Sequence, residues 1–228
     1  MKPPFIVSSS IGRKLVMSIS GAFLVLFLTF HAVMNSVALI SADAYNWICA
    51  VLGANWYAVI GTLVIAGGVV VHILYAVWLT WQNLRARGKQ RYAVTKTEAG
   101  VSWSAKNMLV LGFVVLGGLC VHLIHFWSKM QLVELMGEHL NSLGIGPQDG
   151  AAMIAVTFSH WYNVVIYLVW FAAIWLHLTH GMWSMMQSTG WNNQKWIPRI
   201  QLIGNIWATV IMVLYAAVVV VFFVKSLI

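Results

Sequence analysis

Eight histidines in a chain of 228 residues are the first feature that could do chemistry. Six of them, His31, His72, His122, His125, His177 and His180, fall inside long apolar runs. His160 stands at the start of the fourth such run, and His139 lies in a polar connection. A polar ring placed in lipid is costly and marks a functional position by default. The ordinary alternative is an imidazole that hydrogen-bonds a neighbouring backbone carbonyl, and for any single histidine that reading is the better one. Histidines in four separate runs are harder to assign to packing. Imidazole is a common metal ligand, and two histidines on different helices suit a haem in a helix bundle.

The elements that must position these rings follow from composition. The chain is 61% hydrophobic and 8% charged, against about 25% charged in a soluble domain. Most of its surface is therefore expected to face lipid. A spanning helix needs about 20 mostly apolar residues, and five stretches qualify: Leu15–Ile40, Trp56–Trp81, Asn107–Met130, Ser159–Met186 and Leu202–Lys225. The runs are continuous rather than alternating, which excludes a β-barrel. The expected fold is all-α, a single membrane domain over residues 1–228 built as a bundle of five transmembrane helices. There is no room for a separate soluble catalytic domain. The first run is too long for a signal-peptide core and lacks a small-residue cleavage site. Cys49 and Cys120 form no C-x-x-C or C-x-x-C-H, so neither thiol redox chemistry nor covalent haem attachment is indicated.

The net charge of +8 does not mark a nucleic-acid surface, because the basic residues lie between the apolar runs. With the N-terminus cytoplasmic and the C-terminus outside, eleven of the thirteen lysines and arginines fall on the inner face, leaving Lys129 and Lys225 outside. Four of the five acids (Asp43, Glu134, Glu138 and Asp149) also fall outside. This is the positive-inside bias, and Trp47, Trp56, Trp81, Trp103 and Trp127 sit near span ends as interface anchors do. In the long third connection, Gln131–Leu140 has apolar residues at helical spacing and is expected to lie along the membrane surface. Gly144, Gly146, Pro147 and Gly150 then break it.

Direction sorts the histidines by depth. At 1.5 Å of rise per residue, His31 lies about 24 Å and His122 about 22 Å in from the cytoplasmic side. His72 and His177, on helices running inward, lie about 24 Å or more from the outer side. Two pairs at two depths result: His31 with His122 in the outer half, and His72 with His177 in the inner half. Such pairs fit two bis-histidine haems. Gly67-Gly68-x-x-x-His72 and Gly117-Gly118-x-x-x-His122 share a pattern in which the second glycine lies one turn before the histidine. Its missing side chain is expected to let a flat porphyrin approach the backbone, although ordinary small-residue helix packing would use the same glycines.

His125 and His180 follow three residues after His122 and His177. Each is an alternative ligand, a propionate partner or a quinone contact; depth ranks His122 and His177 first. Arg13, Ser18, Trp103, Lys106 and Ser188, near the cytoplasmic ends, suit the carboxylates of the inner haem, and the basic ones suit lipid headgroups equally well.

These residues carry a family resemblance. Ser10-Ile-Gly-Arg-Lys14, continuing to Ser20-Gly21 and Phe30-His31, resembles the start of the di-haem cytochrome b subunit of succinate dehydrogenases and fumarate reductases. His177-Leu-Thr-His180-Gly181, followed by Trp183-Ser184 and Gln187-x-x-Gly190-Trp191, is similar to that family's fourth-helix signature. The likeness extends over the whole chain, in its five spans, long third connection and histidine order. It implies axial ligands His31, His72, His122 and His177, with the first helix paired to the third and the second to the fourth. It also implies two haem b groups and a multi-pass place in the bacterial inner membrane. A flavoprotein subunit and an iron–sulfur subunit would dock on the cytoplasmic face, and a dimer of such heterotrimers is one assembly open to it. The dicarboxylate chemistry belongs to the flavoprotein. This chain would anchor both partners and exchange electrons with a quinone, menaquinone by the resemblance, near the outer haem. His125, Asn35, Asp43 and Trp127 are the nearest polar candidates for that contact. Some family members are thought to move protons through a carboxylate in the fourth span, but no span here holds Asp or Glu, so such a path is not expected. The competing readings are the di-haem cytochrome b of another complex, such as a nitrate reductase, and a haem-free transporter or anchor.

Overall fold

The computed structural model describes residues 9–87, 103–187, 190 and 193–228. Five of its helices are long and apolar enough to cross a membrane: Ser10–Leu39, Trp56–Ala86, Met108–Lys129, Trp161–Gln187 and Ile197–Ser226. They match the five expected runs, with the first, second and fifth extending further at their cytoplasm-facing ends in the expected topology.

Helix α1 (Ser10–Ser36) starts at Ser9, whose hydroxyl caps Gly12 N at 2.9 Å, and ends in a 3-10 turn over Val37–Leu39. A short helix α2 (Ala42–Val51) follows, capped by Ser41 with Asp43 in its first turn, where a negative charge favours the helix dipole. Next come α3 (Trp56–Arg87), α4 (Trp103–Lys106) and α5 (Met108–His125), then a 3-10 turn over Trp127–Lys129. Helix α6 covers Gln131–Leu135, α7 covers Gly150–Phe158 from an Asp149 cap, α8 covers Trp161–Gln187, and α9 covers Ile197–Ser226.

The third connection departs from expectation. The surface helix stops at Leu135 instead of reaching Leu140, because Gly137 takes a φ of 75° that ends it. The stretch beyond the glycines is not plain loop. Helix α7 forms there and buries Met153, Ile154 and Phe158 against α9 and α2.

The contacts make an up-and-down bundle. Ser20 and Phe23 of α1 meet His72 and Gly68 of α3, so position rises on one helix as it falls on the other. His125 and Val115 of α5 meet Tyr167 and Trp170 of α8 in the same antiparallel sense. Phe171, Trp175 and Met182 of α8 meet Tyr215, Thr209 and Gly204 of α9 likewise. Helix α1 also packs on α8 and α9, so α8 lies at the middle of the assembly. Lipid offers no hydrophobic drive between helices, so close approach rests on small residues. Gly12, Ser18, Ser20 and Ala32 line the buried face of α1, and Gly204 and Ala208 that of α9.

Charge divides by bundle end. Arg13, Lys14, Arg85, Lys106, Lys195 and Arg199 belong to helix ends or turns at one end. Lys129, Lys225 and the acids Asp43, Glu134, Glu138 and Asp149 belong to the other. Arg85 and Arg199 lie over the rings of Trp81 and Trp196, at 4.1 and 5.3 Å from the ring centroids.

Candidate functional site

The histidines meet in two cross-bundle pairs. His31 of α1 and His122 of α5 have ring centroids 5.8 Å apart with planes at 88°. His72 of α3 and His177 of α8 have centroids 6.4 Å apart with planes at 62°. His31 lies eleven residues beyond Ser20, the α1 residue that touches His72, a rise of about 16 Å. On α8, His177 lies ten residues beyond Tyr167, which touches His122, a rise of about 15 Å. The two helices agree that the pairs occupy separate levels of the bundle.

The His31–His122 pair is wrapped in aromatic rings. Phe27 stacks on His31 at 5.3 Å, and Tyr215 lies 6.0 Å from the same ring. Phe126, Trp170 and Tyr167 surround His122 at 5.2, 5.7 and 6.3 Å. Hydrogen bonds pin the polar edges of this shell: Tyr215 Oη donates to Leu28 O, and Trp170 Nε1 donates to Val115 O, both at 2.9 Å. Tyr167, Trp170, Phe171 and His177 recur at helical spacing along α8, so that periodicity was the available signal for a shared face. The fifth span carries no histidine and contributes Tyr215.

The His72–His177 pair has a different setting. Ser20 Oγ lies 3.2 Å from His72 Nδ1, and a Cβ on Gly21 would lie 3.6 Å from His72 Cε1. His180 is not opposite His72; its ring meets Trp183 edge-on at 5.2 Å. The Nδ1 atoms of His122, His177 and His180 are buried with no hydrogen-bond partner.

The second glycine before each histidine makes room for an aromatic side chain, as the helix-packing reading of these glycines allows. A Cβ on Gly68 would come within 2.6 Å of the Phe23 ring, and one on Gly118 would collide with the Trp170 indole. The ground one turn before each histidine is thus taken by an aromatic side chain. Gly67 and Gly117 have open space beside them.

The remaining candidates are dispersed. Ser18 is buried in α1; Arg13 is half-buried with its guanidinium 5.5 Å from the Trp78 ring centroid. Trp103 and Lys106 are exposed on α4, which packs against α8. Ser188 lies outside the described residues. At the opposite end, Asn35 donates to His31 O at 2.7 Å and accepts from Tyr45 Oη at 2.9 Å. His125 Nδ1 lies 3.3 Å from Tyr167 Oη. The Trp127 indole donates to Gln131 Oε1 at 2.9 Å, and Asp43 is exposed on α2. Gln131 also accepts from Thr62 Oγ1 and donates to Gly53 O, so it fastens the α2–α3 turn to the end of the third span. That fastening needs partners remote in sequence and has no local signature.

Among the described residues, no group of three or more His, Cys, Asp or Glu side chains gathers as a metal cage. Each pair instead brings two imidazole rings from different helices together across the bundle. Comparison with protein-family models, with curated proteins and with solved structures returned no match.

Proposed function

We propose that this chain is a di-haem cytochrome b, the membrane subunit of a succinate dehydrogenase or fumarate reductase. His31 and His122 would hold one haem b, and His72 and His177 a second. The observation that carries this reading is the pair of cross-bundle imidazole contacts at 5.8 and 6.4 Å. Two imidazoles bound to one metal through bonds of about 2 Å have ring centres about 6 Å apart.

Bound haem b supplies a reversible one-electron change at each level; the chain's own residues do the rest. The four histidines hold and orient. Tyr167, Trp170, Phe171 and Tyr215 keep water from the outer pair. The basic bundle end faces the cytoplasm by the lysine and arginine bias, which puts the N-terminus inside and the C-terminus outside. It carries Arg13, Ser18, Trp103 and Lys106 as partners for propionates and is where a flavoprotein and an iron–sulfur subunit dock. The opposite end exchanges electrons with a membrane quinone, menaquinone in this reading, with His125 and Asn35 nearest the outer pair. Trp127, its N–H committed to Gln131, offers that quinone its ring face. The setting is the bacterial cytoplasmic membrane.

Purification of the tagged chain from its native membrane tests the assignment. A flavoprotein and an iron–sulfur protein should come with it, and succinate should reduce a b-type band. A b-type band that succinate leaves oxidised, with a different partner set, would place the chain in another respiratory complex.

A further inference from the structure

Ser20 is the one side chain that makes a hydrogen-bond contact with either histidine of the His72–His177 pair among the described residues. It is buried in α1, and its hydroxyl donates to Met17 O at 3.1 Å, one turn back on the same helix. A serine hydroxyl has a single proton. With that proton on the Met17 carbonyl, Ser20 Oγ meets His72 Nδ1 at 3.2 Å as an acceptor. His72 Nδ1 must then carry the ring's proton. A neutral imidazole has one N–H, so Nε2 keeps its lone pair. A Cβ on the neighbouring Gly21 would stand in ordinary van der Waals contact with His72 Cε1, so the ring lies beside α1 next to the hydroxyl. The partner ring has no such support, since His177 Nδ1 is buried without a partner.

We infer that Ser20 is a positioning residue for the inner haem: it fixes His72 in the tautomer that ligates through Nε2 and strengthens that ligand. This rests on the reading of His72 as an axial ligand. An acceptor on the distal N–H of a metal-bound histidine raises the ligand's basicity. A more basic ligand favours the ferric state, so Ser20 holds the inner centre at a lower potential than it would have without the hydroxyl. Were the hydroxyl turned to donate to Nδ1, the ring's proton would sit on Nε2 and ligation there would be blocked.

Redox titration of the two b-type bands in the intact complex tests this, with Ser20→Ala and Ser20→Thr compared to the parent chain and low-spin ferric spectra recorded alongside. Ser20→Ala should shift the ferric–ferrous balance of one centre about tenfold toward ferrous, equal to 59 mV for a one-electron couple. It should move that centre's ferric spectrum and leave the other centre unchanged. Ser20→Thr, which keeps the hydroxyl, should restore both readings. Loss of one haem in Ser20→Ala but not in Ser20→Thr also supports the role. Unchanged midpoints in Ser20→Ala, or equal effects of both substitutions, overturn it. A parent complex with no b-type band would instead remove the di-haem reading, a separate result.

Discussion

The imidazoles of His31 and His122 face each other across the bundle at 5.8 Å, nearly perpendicular, inside a sleeve of aromatic rings. Their helices are far apart in sequence, and among the described residues neither ring has an ionic partner. The pairing makes a sharp prediction about substitutions. His31→Ala and His122→Ala should each lose the same single haem, and the surviving band should titrate identically in both. His72→Ala and His177→Ala should lose the other one. Haem content with potentiometric titration of each variant checks this; two variants of one pair that lose different centres would break the pairing.

His177 and His180 lie on neighbouring faces of α8, but His180 meets Trp183 while His177 meets His72. His177→Ala should abolish one haem, and His180→Ala should retain both. Optical spectra of the two purified variants decide; a haem lost only in His180→Ala would transfer the ligand role to that residue.

Gly118 gives its space to the Trp170 indole, which in turn bonds Val115 O. Gly118→Ala should force the indole aside and destabilise the bundle by about 1–3 kcal/mol, as overpacking does. Gly117→Ala, beside open space, should cost far less. Thermal unfolding of both variants in one detergent gives the comparison, and equal melting temperatures would contradict the packing described.

Cys49 lies outside the spans, half-buried beside Tyr45 and Gly150. Burial is the main cause that pushes its thiol up to about 11. The thiolate is the reactive form, and its population grows only as pH approaches that value, leaving roughly a thousandth of the thiol ionised at pH 8. Iodoacetamide labelling in a Cys120→Ser background should be slow at pH 8 and accelerate about tenfold per pH unit up to pH 10. A rate that levels off near pH 9 would show an unperturbed thiol.

Much of the histidine pairing was legible in the sequence, because alternating helix direction and a constant rise convert residue number into depth. His31 and His72 stand at similar distances from the starts of oppositely running spans, which separates them into two levels. The aromatic sleeve was not legible. A membrane span is apolar on every face, so Tyr167 and Trp170 look no different from lipid-facing rings until α5 and α9 are packed against them. Helix α7 was hidden for a related reason: its short apolar run follows a glycine-rich break, and only docking on α9 reveals it as core. Ser20 was one small residue among several on α1, and its meaning depends on a ring supplied by another helix. The Gly-Gly pairs before His72 and His122 stand out in the sequence, but only packing identifies Phe23 and Trp170 as the side chains beside Gly68 and Gly118.

Whether the chain carries two haems is decided most directly by the haem content of the complex purified from haem-sufficient cells, taken with its reduced-minus-oxidised spectrum. Two haem b per chain are expected, with a b-type band composed of two separately titrating centres. A complex with intact subunits and no b-type band would contradict the di-haem reading.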